Sequence, residues 1–225
     1  MTLIFIVSLV ATMGIQAWLR STYGKWGQVQ NTSGLTGAET ARAILQANGL
    51  ENVQVEAVKG QLTDHYDPRS RTVRLSEGNY AKTSVAGMAV AAHEVGHAIQ
   101  HAKAYAPLQI RHALVAPANI GSQFGMLLVM GGFFLGALQG QAFGSMLLNV
   151  GIILFGASVL FHVVTLPVEF DASRRALVQM KNLGLATDAD SGGARKVLTA
   201  AAMTYVAAAA TSIAYLLYFI GLSRD

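Results

Sequence analysis

The 225-residue chain has no cysteine. That absence excludes disulfides, Cys-based zinc ribbons and thiol nucleophiles, and it suits a reducing compartment. Charge is scarce as well. Only 12% of the residues are charged, about half the ~25% of an ordinary soluble domain. Acids are the scarcer sign, 12 Asp and Glu against 16 Lys and Arg. The resulting net charge of +4 comes without a basic stripe interleaved with aromatics, so nucleic acid is not an expected partner. Hydrophobic residues make up 52% of the chain and the mean hydropathy is +0.41, a balance that points to a membrane protein.

Three stretches contain no Asp, Glu, Lys or Arg: Met1 to Leu19, His112 to Val168 and Val197 to Ser223. About 20 apolar residues cross the hydrocarbon core as a helix. Residues 1–19 are therefore expected to hold one span. It reads as an uncleaved anchor, because no positive residue precedes Arg20, as a signal peptide would require. Residues 113–168 are long enough for a helical hairpin, about 118–138 and 144–166, with a weak break at Leu138-Gln139-Gly140-Gln141. Residues 198–222, rich in Ala, make a fourth span. Of the 16 Lys and Arg, 15 fall in the two intervening segments, Arg20–Arg111 and Glu169–Lys196. Positive residues near span ends stay in the cytoplasm. Both segments are thus expected on the cytoplasmic face of a multi-pass protein.

Within residues 20–112, Thr36-Gly37-Ala38-Glu39 is a capping box that opens a helix, and Gly49 ends it. Val53, Val55 and Leu62 alternate with polar residues as in short strands. Asp67-Pro68-Arg69-Ser70 is a turn signal, and Thr72 to Leu75 alternates again. A long helix is expected from about Thr83 to Lys103. In residues 169–197 the pattern predicts a helix to Leu183, a Gly184 stop and a polar loop.

The expected long helix carries His93-Glu94-Val95-Gly96-His97. A helix turns once in 3.6 residues, so His93 and His97 lie one turn apart on one face and can grip a single ion. Glu94 can then take the proton of a water that the ion acidifies, which is the mechanical content of H-E-x-x-H. One Zn2+ is the expected cofactor, and Gly96 is read as leaving room beside it. His101 continues the spacing but lies about 12 Å along the axis from His93 at 1.5 Å per residue, too far to share the ion on a straight helix.

A catalytic zinc takes three protein ligands. Glu169 is the best-placed third. It closes the charge-free hairpin, whose two spans return it to the side of His93 and His97. The plainer alternative is a solvated carboxylate at a helix N-terminus, with Pro167 in that helix's first turn. Asp171 either orients a ligating His or caps its helix. His65, Tyr66, Arg174 and Arg175 are the candidates for stabilising an oxyanion or contacting substrate. The strand at Thr72–Leu75 is the candidate edge for an extended peptide.

Four runs carry a resemblance: Asp64-His65-Tyr66-Asp67-Pro68, Thr72-Val73-Arg74-Leu75-Ser76, Ala91-Ala92-His93-Glu94-Val95-Gly96-His97-Ala98 and Leu166-Pro167-Val168-Glu169-Phe170-Asp171-Ala172-Ser173. In these the chain resembles the YugP-type membrane neutral zinc metallopeptidases along nearly its whole length. It is more distantly similar to membrane gluzincins of the HtpX type. The resemblance implies a His-His-Glu zinc site with Glu169 as the Glu, in the bacterial inner membrane. The distant relatives commonly carry Asp four residues after that Glu, where this chain has Ser173.

The sequence thus predicts a mainly α membrane protein with about four transmembrane helices. A small α+β zincin-like metallopeptidase domain sits at the cytoplasmic face and acts on protein or peptide substrates. Two other readings compete: an intramembrane-cleaving metalloprotease, and a non-enzymatic zinc-binding membrane protein.

Overall fold

The computed structural model describes residues 2–139 and 141–223, with the side chains of residues 137–139 excepted. Gly140, at the expected hairpin break, and Arg224 lie outside the described residues. The chain is mainly helical. In order it forms α1 (Thr2–Trp26), α2 (Gly37–Ala47), β1 (Gln54–Val58), β2 (His65–Asp67), β3 (Thr72–Ser76), α3 (Glu77–Ala81), α4 (Val85–Ala102), α5 (Ala106–Ile120), a π-helical turn (Gly121–Gly125), α6 (Met126–Gln139), α7 (Gln141–Asn182) and α8 (Asp188–Leu222). Four helices are long and apolar enough to cross a membrane: Thr2–Trp26, Ala106–Gly136, Gln141–Asn182 and Asp188–Leu222. The helix bearing His93 and His97 is not among them.

Each of these helices overruns its charge-free stretch. The second begins at Ala106, well before the expected residue 118. The expected new helix at Pro167 does not exist, because α7 runs through that proline without a break. The polar loop expected after Gly184 is also shorter. Gly184 does take the left-handed φ of a helix stop (+65°), but α8 already begins at Asp188. The reason is a cap. Thr187 Oγ1 accepts from the Asp190 amide at 3.3 Å, while the Asp190 carboxylate accepts from the Thr187 amide at 3.1 Å. The same carboxylate takes the Thr32 amide at 3.2 Å.

The chain divides into two compact units. The first comprises Met1–Gly14, Ala106–Pro167 and Thr204–Asp225. Small residues let its helices approach closely, as lipid-embedded helices require. A Cβ added to Gly144 would lie 2.3 Å from Gly136 Cα. Phe219, Phe155 and Val129 form a buried cluster there.

The second unit, Ile15–Tyr105 with Val168–Met203, holds every residue of the proposed chemistry. Its sheet has the order β1-β3-β2, with β3 parallel to β1 and antiparallel to β2. The capping box of Thr36 and Glu39 opens α2. Its apolar face (Ala41, Ile44, Leu45) packs with Val73 and Leu75 of β3 and with Met88, Ala92, Val95 and Ile99 of α4. Ala176 and Met180 of α7 and Ala194 and Leu198 of α8 complete the cluster. Burying each large aliphatic side chain stabilises the fold by about 2 kcal/mol, so α4 is held on several sides.

Two strand expectations change. Thr72–Leu75 is the central strand, and the edges are β1 and β2. Leu62 belongs to no strand. It sits in a turn with a φ of +55° and its side chain is exposed.

Candidate metal centre

Ser84 starts α4, its hydroxyl accepting from the Gly87 amide at 3.0 Å. The helix then runs through thirteen buried residues, and Glu94 is its one carboxylate. His93 and His97 project from one face, their rings nearly perpendicular with centroids 4.8 Å apart. Gly96 stands between them in sequence, but its role differs from the expected one. A Cβ there would lie 2.6 Å from the Ala172 carbonyl oxygen. The missing side chain makes room for the α7 backbone, and that approach brings Glu169 to the two histidines.

Glu169 Oε2 lies 3.2 Å from His93 Nε2 and 3.6 Å from His97 Nε2. The potential ligand atoms of the three residues all fall within 4.8 Å of one another. A tetrahedral ion with ligand bonds of about 2.1 Å separates its ligand atoms by about 3.4 Å. The two distances bracket that edge, so the donor set fits zinc in type, and Glu169 fits it in its spacing to each histidine. Burial opposes charge on Glu169, yet the nearness of the His93 and His97 rings outweighs it and holds the carboxyl below its usual range.

Each histidine is held from behind. His93 Nδ1 lies 3.1 Å from Ser173 Oγ, and His97 Nδ1 lies 3.0 Å from Gln100 Oε1. Gln100 is fully buried and donates to the Val168 carbonyl at 2.8 Å and to Asp171 Oδ2 at 2.9 Å. Asp171 also accepts from Arg174 at 2.6 Å and from Arg175. Asp171 therefore touches neither histidine; it reaches His97 through Gln100. Ser173 and Gln100 are the residues that sequence reasoning missed. The available signal was Gln100's position, three after His97 on the same helix.

Glu94 is buried, and burial raises its carboxyl above the usual range, against the pull of both histidines. It makes no hydrogen bond to another described residue.

The remaining candidates lie apart from this cluster. His65 is exposed and its Nδ1 contacts the Thr63 carbonyl at 2.8 Å. The Tyr66 hydroxyl lies 2.9 Å from His101 Nδ1, which ties β2 to α4. Arg174, 73% exposed in its side chain, is engaged by Asp171.

A family model described as "Putative neutral zinc metallopeptidase" matches residues 1–224. A protein of Bacillus subtilis (strain 168), "Putative membrane protease YugP", is 46% identical over 222 residues, covering 97% of this chain and 96% of that protein. No solved structure matches the chain. With a whole-length family match and a relative this similar, the chain belongs to the neutral zinc metallopeptidase family of YugP-type membrane proteases.

Proposed function

We propose that the protein is a membrane-anchored zinc endopeptidase in which His93, His97 and Glu169 hold one zinc ion and Glu94 is the general base. The convergence of two imidazole Nε2 atoms and a buried carboxylate oxygen within 4.8 Å carries this reading. A zinc ion held there would supply Lewis acidity, making water acidic enough to give up its proton near neutral pH. Glu94, whose side chain makes no hydrogen bond to another described residue, accepts a hydrogen bond from the attacking water. It takes that proton as the scissile carbonyl is attacked and delivers it to the leaving nitrogen.

Substrate is held in extended form along β2. This strand is a sheet edge whose outer side is unpaired among the described residues, and its Tyr66 contacts His101 on the zinc helix. Backbone pairing at such an edge accepts many sequences. The catalytic unit faces the cytoplasm, a reading supported by the charge distribution, 15 of 16 Lys and Arg in two segments. Its substrates are membrane or membrane-near proteins.

The direct test of mechanism is Glu94→Gln. Zinc content should equal the parent's, while cleavage of a denatured protein falls by about 100-fold or more, as loss of a general base entails. Parent-level cleavage with zinc retained would refute the role of Glu94.

A further inference from the structure

We infer that Gln100 is a positioning residue that fixes which nitrogen of His97 faces the metal, and that it couples this choice to α7 through Asp171. The inference rests on the zinc reading above, but its geometry stands by itself. A side-chain amide has one acceptor oxygen and one donor nitrogen, and crystallographically the two are easily exchanged. Here the surroundings leave one orientation. The nitrogen faces the Val168 carbonyl at 2.8 Å and an Asp171 carboxylate oxygen at 2.9 Å. Both are acceptors, and together they use both of its hydrogens. The oxygen is then what faces His97 Nδ1 at 3.0 Å, and an oxygen with no hydrogen can only accept. His97 must carry its proton on Nδ1. Nε2, the atom 3.6 Å from Glu169 Oε2, is left with a free lone pair in neutral imidazole.

The same bonds tie the second histidine to the helix of the third ligand. Val168 and Asp171 flank Glu169 in α7, and Asp171 is itself anchored by Arg174 and Arg175. Gln100 is completely buried, so no water substitutes for it. A ligand-supporting group of this kind contributes about 10–100-fold in metal affinity.

The test uses Gln100→Leu and the parent, both full-length in detergent, with nitrogen-15-labelled histidine. In metal-free parent, at a pH well above the imidazole range, the His97 Nδ1 resonance is expected to be the protonated one. In Gln100→Leu the proton should move to Nε2. Zinc affinity, measured separately by competition with a chelator, should fall about 10–100-fold. A parent in which neutral His97 carries its proton on Nε2 overturns the inference without any variant, even if the variant does not fold. A variant with parental zinc affinity and an Nδ1 proton also overturns it. If the parent itself binds no zinc, the metal reading fails, while the nitrogen resonances still decide the role of Gln100.

Discussion

Gly96 of α4 and Ala172 of α7 meet so closely that a Cβ on the glycine would lie 2.6 Å from the Ala172 carbonyl oxygen. This contact sets the distance between the helix that supplies two histidines and the helix that supplies Glu169. Gly96→Ala should force the two backbones apart, costing about 1–3 kcal/mol as overpacking does, and should loosen the ligand set. Thermal unfolding and zinc affinity should fall together. Unchanged zinc affinity would show that the approach of α7 does not govern the site.

Ser173 makes the corresponding contact on the other histidine, 3.1 Å from His93 Nδ1. Ser173→Ala should weaken zinc binding by about 10-fold, at the lower end of such effects. Ser173→Asp supplies a charged acceptor, which strengthens the bond to Nδ1–H and the basicity of Nε2. It should bind zinc more tightly than the parent. Competition titration against a chelator reads both.

Asp190 gives a pH prediction remote from the metal. Its burial raises the pKa, but the hydrogen bonds from Thr32 and Thr187 prevail and the carboxyl is held below its ordinary value. A depressed folded pKa stabilises the protein fully above the unfolded value of about 3.9, and that stability is lost as pH falls through the folded value. Asp190→Ala should lose about 1 kcal/mol near neutral pH, as removal of a cap does. The difference from the parent should shrink in acid. Chemical denaturation across pH checks it, and a difference that grows on acidification would contradict the assignment.

The proposed orientation is accessible because the chain has no cysteine. A single Gln61→Cys, in the exposed turn beside Leu62, should react with an impermeant thiol reagent in inverted membrane vesicles and not in intact cells. Labelling from outside intact cells would place the catalytic unit on the opposite face.

Much of this architecture is written in features that act over short distances. The charge-free runs announce membrane helices because the bilayer penalises charge residue by residue. The spacing of His93 and His97 is meaningful on any helix. Thr36 and Glu39 cap α2 with contacts three residues apart. What was not legible depends on packing between segments distant in sequence. β2 is three residues long and exists because β3 pairs with it. Pro167 looked like a helix start, yet α7 passes through it. Gly96 suggested space for an ion, and its neighbour turned out to be a backbone carbonyl. Gln100 and Ser173 are neutral polar residues whose meaning appears only when α4 meets α7.

Zinc content tests the account at its centre. Parent protein, purified and dialysed against a weak chelator, should retain about one zinc per chain, as three protein ligands imply. Glu169→Ala should retain almost none under the same conditions while unfolding cooperatively near the parent's temperature. A folded Glu169→Ala protein with one tightly held zinc would contradict the His93, His97 and Glu169 centre.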